Sequence, residues 1–145
     1  MADRVTSDNP SVTTVDATLE RYGGTRRPQV VAPADARDRF PDEGEVVRLV
    51  VDGHEYRARV AETSDGRAAF RGAYDTPRLA RSRDGTNHLR EWLQSTDLDI
   101  GRTVHVDVVE PDFKYGVRAP GETARYTATE KPKSSLADIA RDLDG

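Results

Sequence analysis

The chain has 145 residues, 35% of them hydrophobic, and 22 Lys+Arg against 26 Asp+Glu give a formal charge of -4; this is the scale of one domain whose apolar material is gathered into a few short elements. With no cysteine and three scattered histidines, disulfides and thiolate metal sites are excluded, an all-histidine zinc site is disfavoured, and no cofactor is expected. No apolar run has the length of a membrane-spanning helix, and "MADRVTSDNPSVTTV" lacks the basic-then-apolar order of a signal peptide, so a cytoplasmic protein without membrane contact is expected.

Residues 1–11 are polar and punctuated by proline, and read as an unstructured lead to a β-barrel domain over 12–130. In "SVTTVDATLER" Val15, Ala17 and Leu19 alternate with Asp16, Thr18 and Glu20, the two-residue period of a half-buried strand. "YGGTRRP" turns the chain into a second short strand, "QVVA", because Gly23 and Gly24 permit positive φ. "PADARDRFPDEGE" is a loop with room for one helical turn.

The clearest hairpin is "EVVRLVVDGHEYRARVAE", where Asp52-Gly53 predicts a type I′ turn. After a turn at Ser64-Asp65-Gly66, "RAAFRG" adds another strand and completes a β-meander. Gly72, Pro77, Ser82 and Gly85 then crowd together, which predicts an exposed loop with a turn of helix.

In "TNHLREWLQSTDLDIG", Leu89, Trp92 and Leu93 fall on one helical face behind a cap from Thr86 or Asn87, so one central helix is expected. "RTVHVDVVEP" is the strongest strand, with Val104, Val106 and Val108 inward and His105, Asp107 and Val109 outward. "YGVRA" and "TARYTAT" flank Pro120-Gly121 as a last hairpin. Residues 131–145 read as a linker and a short amphipathic helix, with a capping box at Ser135 and Asp138 and Leu136, Ile139, Ala140 and Leu143 on one face. The expected fold is mainly β, a small, partly open β-barrel of seven to eight short strands with one central helix and a short C-terminal helix.

Charge gives the strongest functional signal. From Arg67 to Arg90 six arginines (Arg67, Arg71, Arg78, Arg81, Arg83, Arg90) face only Asp75 and Asp84, a balance of +4, and residues 21–39 run +3. Guanidinium groups interspersed with Tyr74, Asn87 and His88 are the side chains that contact phosphates and base edges. Together with Arg26 and Arg27 beside the glycine pair, they make Arg71, Tyr74, Arg78, Arg81, Arg83, Asn87 and His88 the candidate nucleic-acid-binding residues. The competing explanation is codon bias, or a solvated face paired to the protein's own acids.

Catalytic patterns are weaker. Asp112-Phe113-Lys114 supplies the acid-x-Lys half of a magnesium nuclease site, but the upstream Pro-Asp pair, Pro41-Asp42, is roughly seventy residues away. His105 and Asp107 share a strand face without a serine on a strained elbow. Neither a Walker loop nor a dinucleotide fingerprint is present.

The full chain, above all "DGHEYRARV", "GAYDTPRLAR", "HVDVVEPDFKYGVRAPGE" and "SLADIARDLDG", resembles an uncharacterised family of halophilic archaea. Arg exceeds Lys 19 to 3, Val exceeds Ile 15 to 2 and Asp exceeds Glu 17 to 9, a bias that suits a GC-rich halophile. In molar salt the Debye length is roughly 3 Å, so contact pairing by arginine forks would have to replace long-range attraction. The stretch "TNHLREWLQ" followed by "LDIGRTVHVDVV" also resembles, more weakly, the DNA-binding pseudobarrel of plant B-type transcription factors and restriction-enzyme effector domains. That resemblance implies two DNA-gripping arms, "YGGTRRP" and "RGAYDTPRLARSR".

The expected function is therefore non-enzymatic binding of nucleic acid, double-stranded DNA, through two arginine-rich loops. One alternative is a protein-interaction module that uses the C-terminal helix and the arginine surface. The other is a small hydrolase or nuclease around His105, Asp107 and Asp112.

Overall fold

The computed structural model describes residues 4–6, 12–22, 27–122 and 125–127. Seven strands form a barrel: β2 (Thr13–Arg21), β3 (Pro28–Val31), β4 (Val46–Val51), β5 (His54–Glu62), β6 (Ala68–Phe70), β7 (Thr103–Glu110) and β8 (Lys114–Arg118). Their order around the ring is β2-β3-β6-β5-β4-β8-β7, and β7 pairs back onto β2 from Thr13↔Val108 to Thr18↔Thr103. The barrel is thus closed, where the sequence predicts a partly open one. Pairing of β2 with β7 removes the free edges that an open sheet would expose.

Strand directions cannot alternate all the way around a ring with an odd number of members. The single mismatch falls between β4 and β8, which run parallel from Arg48↔Lys114 to Val51↔Val117. Elsewhere the ring is antiparallel, and β4-β5-β6 is the predicted meander. Asp52 and Gly53 both have positive φ, 51° and 81°, as the expected type I′ turn requires.

Two further strands, β1 (Arg4–Thr6) and β9 (Arg125–Thr127), pair with each other outside the barrel. The lead read as unstructured therefore contributes a strand at residues 4–6. The helix expected within 131–145 lies outside the described residues.

The inward faces follow the two-residue period of the sequence. Val15, Ala17 and Leu19 of β2 meet Val104, Val106 and Val108 of β7 in one apolar cluster. A short 3-10 helix, Ala34–Arg39, delivers Phe40 onto Tyr115, with ring centroids 4.8 Å apart and planes within 7°. The Tyr115 hydroxyl donates to the Arg39 carbonyl at 2.6 Å, so this buried phenol is satisfied.

Helix α1 (Pro77–Ser82) and helix α2 (His88–Ser95) occupy the connection between β6 and β7. The predicted turn of helix is α1, and the predicted central helix is α2, whose Leu89, Trp92 and Leu93 join the barrel's apolar cluster. Among the described residues no helix is long and apolar enough to cross a membrane.

One outward position departs from expectation. Asp107 is fully buried. Arg118 donates to it at 2.9 Å from the neighbouring β8, and the Thr14 hydroxyl donates at 2.6 Å from β2 on the other side. A carboxylate can lie beneath the surface here because both adjacent strands satisfy it.

Candidate functional site

The last residues of β2 and the first of β3 come together where the Tyr22 amide donates to the Arg27 carbonyl at 2.8 Å. Across the sheet, Val30 is paired with Phe70 of β6, which sets Gln29 beside Arg71. Gln29 is buried; its amide nitrogen donates to the Arg21 carbonyl at 3.2 Å, and its oxygen accepts from Arg71 Nε at 3.0 Å. The Arg71 guanidinium carbon lies 3.9 Å from the centroid of the Tyr22 ring. Arg71 is thus held by Gln29 and Tyr22 through its Nε and its guanidinium face, and among the described residues its outer nitrogens make no side-chain bond of their own.

The segment after β6 is held at three points. Tyr74 and Arg57 exchange both backbone hydrogen bonds at 2.7 Å, fastening the segment to β5. Asn87, the residue capping α2, accepts from the amides of Arg90 and Ala73 and donates to the Arg71 carbonyl at 3.1 Å. Gly72 is required in between, because a Cβ there would lie 2.7 Å from the Tyr74 ring and 2.8 Å from the Asn87 amide.

Helix α1 opens on Thr76, whose hydroxyl accepts from the Leu79 amide, with Pro77 in the first turn. It closes on Arg83 in the left-handed region, φ 59° and ψ 36°. The described non-glycine residues with positive φ are Asp52, Arg83, Asp97 and Asp112. Aspartate tolerates that conformation, whereas arginine has no local side-chain interaction to offset it. From this position Arg83 Nη1 donates to the Tyr22 hydroxyl at 3.2 Å.

These elements enclose a cleft of about 230 Å3. Arg27, Arg71, Arg83 and Arg90 line it with Tyr22, Tyr74 and Asn87. The Arg83 hydrogen bond and the charge of Arg71 lower the pKa of the Tyr22 phenol below its ordinary value. Burial raises that of Tyr74, against the opposing charges of Arg83 and Arg27.

Some arginines elsewhere on the barrel are neutralised, whereas Arg21, Arg39, Arg59 and Arg102, scattered over the surface, pair with no carboxylate among the described residues. Arg37 pairs with Glu62, Arg48 and Arg57 with Glu55, and Arg118 with Asp107. Among the described residues, Arg71, Arg83 and Arg90 pair with no carboxylate, and the same holds for Arg78 and Arg81. Gathering like charges in one cleft is unfavourable unless an anion offsets them.

The structure divides the sequence-predicted residues. Arg27, Arg71, Tyr74, Arg83 and Asn87 converge on the cleft, although the Asn87 amide is engaged by backbone groups. Arg78 and Arg81 are exposed on α1 and are absent from the cleft wall. His88 stacks on Tyr56 with centroids 4.1 Å apart, 3.0 Å from Asp75 and 3.5 Å from Glu91. Arg67, which contributes to the positive count in sequence, is clamped by Glu20 at 2.6 Å and Asp65 at 3.0 Å. Arg26 lies outside the described residues.

The candidate residues predicted from sequence omit Tyr22, Gln29 and Arg90, although Arg90 counts in the arginine-rich segment and Tyr22 opens the "YGGTRRP" arm. Tyr22 adjoins the glycine pair, and Arg90 stands three residues after the cap Asn87; both spacings could have pointed to the site. Gln29 gave no such signal.

The residues of the catalytic alternative have separate structural partners. His105 Nδ1 lies 2.9 Å from Asp16, its cross-strand neighbour, and Asp107 is enclosed by Arg118 and Thr14. Asp112 sits in the turn between β7 and β8 at φ 66°, its amide donating to the Tyr115 hydroxyl. Among the described residues, no group of three His, Cys, Asp or Glu side chains could hold a metal ion.

No curated protein matches the chain. The model of a family of unknown function, DUF7112, matches residues 1–143, and the chain belongs to that family.

Proposed function

We propose that the protein is a non-enzymatic nucleic-acid-binding protein that takes double-stranded DNA through the arginine-lined cleft and the adjoining face of α1. The observation that carries this reading is the convergence of Arg71 and Arg83 on Tyr22 in a cleft where neither has a carboxylate partner among the described residues. Two guanidinium groups so placed can pair bidentately with phosphate oxygens. Arg78 and Arg81, three residues apart on the exposed side of α1, add contacts for neighbouring phosphates, which position a duplex without reading its sequence.

The preference for duplex DNA draws on the weak resemblance of the α2-to-β7 stretch to DNA-binding pseudobarrels, from whose open barrel the closed ring departs. A cytoplasmic, halophilic setting is part of the same proposal, supported by the excess of Arg over Lys and of Asp over Glu. Short-range forks are the kind of contact that survives high salt.

The reading is tested by an electrophoretic shift of random-sequence duplex DNA across a salt series that reaches molar concentration. A retarded complex that persists into that range is expected. Absence of a complex even at low salt would overturn the reading.

A further inference from the structure

Three depressions share walls and form one groove. The central cleft meets a second depression through Tyr22 and Arg71, and a third through Pro28, Arg90 and Leu93. Arginines without a carboxylate partner are concentrated in the middle, where Arg71, Arg83 and Arg90 lie, and among the described residues Arg21 alone adds to them in the second depression. In the second depression Arg67 is held by Glu20 and Asp65, and the far end of the third is lined by Asp97 and Asp99.

A strand laid along this groove would carry its phosphates from the basic centre to Asp97 and Asp99 at one end and past Glu20 and Asp65 at the other. The charge distribution instead fits a short anionic unit that enters the centre alone. The cleft's volume of about 230 Å3 is below the roughly 300–1,000 Å3 of sites that enclose a whole drug-sized ligand. Its wall holds a guanidinium fixed over a tyrosine ring, and guanidinium planes and aromatic rings are surfaces on which an unstacked base packs. A paired base inside a duplex offers no free face to them.

From this we infer that the central cleft accepts one nucleotide that has left the base stack, its base against Arg71 and its phosphate between Arg71 and Arg83. This rests on the nucleic-acid reading above and narrows it to the unit recognised. Arg71 then has two roles, a charge for the phosphate and a flat surface for the base. The left-handed backbone at Arg83 is consistent with this, since strained residues persist where the surroundings hold them for a purpose.

The inference is tested with two fluorescent DNA probes at one salt concentration, a perfect duplex and the same duplex with a single-nucleotide bulge. The full chain is expected to bind the bulged probe about tenfold more tightly, since stacking one base on a protein platform contributes a factor of that order. Arg71→Lys, which keeps the charge and loses the plane, is expected to weaken binding of both probes and to remove the tenfold difference between them, its folding checked by urea denaturation. Equal affinity of the unaltered protein for both probes would overturn the inference and leave the duplex reading standing. Failure to bind either probe would overturn both.

Discussion

Arg71 lies over the face of Tyr22, its guanidinium carbon 3.9 Å from the ring centroid, while Arg83 reaches the hydroxyl of the same ring at 3.2 Å. One tyrosine thereby holds two guanidinium groups that come from opposite ends of the loop containing α1. Its face and its oxygen are both electron-rich, so each cation is stabilised without a neutralising carboxylate.

Replacing Arg83 by glycine separates binding from stability. Glycine adopts φ 59° without penalty, so Arg83→Gly should leave the urea midpoint unchanged or raise stability by up to about 1 kcal/mol. Loss of the fork should weaken DNA binding by about tenfold or more, since a charge-assisted hydrogen bond contributes roughly 1.5–3 kcal/mol. A clear drop in the midpoint would mean that Arg83 serves the fold rather than a ligand.

Arg78 and Arg81 project from α1 with no ion partner among the described residues. The double substitution Arg78→Ala, Arg81→Ala should lower affinity similarly for all DNA sequences and reduce the slope of log K against log salt by about 2. An unchanged slope would remove α1 from the interface.

Asp107 is the structural counterpart of these exposed charges. It is fully buried and bonded from both neighbouring strands. Asp107→Ala would leave Arg118 without its carboxylate, with bonds only to the Glu122 carbonyl and the Thr14 hydroxyl, and should cost about 3 kcal/mol, measured by urea denaturation. A loss below about 1 kcal/mol would show that the barrel wall does not depend on this pair.

The tyrosines predict opposite pH dependences. Tyr22 has a folded pKa below its ordinary value of 10.0, so its contribution to stability is present above that value and is lost as pH falls through the folded pKa. Burial raises that of Tyr115, so its contribution is full below the ordinary value and declines as pH rises beyond it. Tyrosinate absorbance should show one phenol ionising early, and Arg83→Ala should move that step to higher pH. An unshifted step would contradict the contact.

Local features of the sequence specified local structure well. Asp52-Gly53 dictated the tight turn, alternating valines dictated the inward face of β7, and Leu89, Trp92 and Leu93 dictated the buried side of α2. Closure was not legible in the same way. It depends on Thr13 to Thr18 meeting Thr103 to Val108, and on β8 lying parallel to β4, long-range pairings that leave no mark in short-range periodicity.

Polarity likewise placed Asp107 outward but gave no sign that Arg118, eleven residues on, would cover it. Net charge identified the arginine-rich segment without showing which members are free. Arg67 meets Glu20 across 47 residues, and Arg83 meets Tyr22 across 61. Which guanidinium is quenched and which is presented depends on tertiary geometry.

The most direct test of the central claim is an equilibrium titration of labelled duplex DNA with the unaltered protein and with the Arg71→Ala, Arg83→Gly double variant, at matched high salt and with folding verified for both. Saturable binding by the first, reduced by two orders of magnitude or lost in the second, is the predicted result. Equal binding by the two proteins would contradict the account.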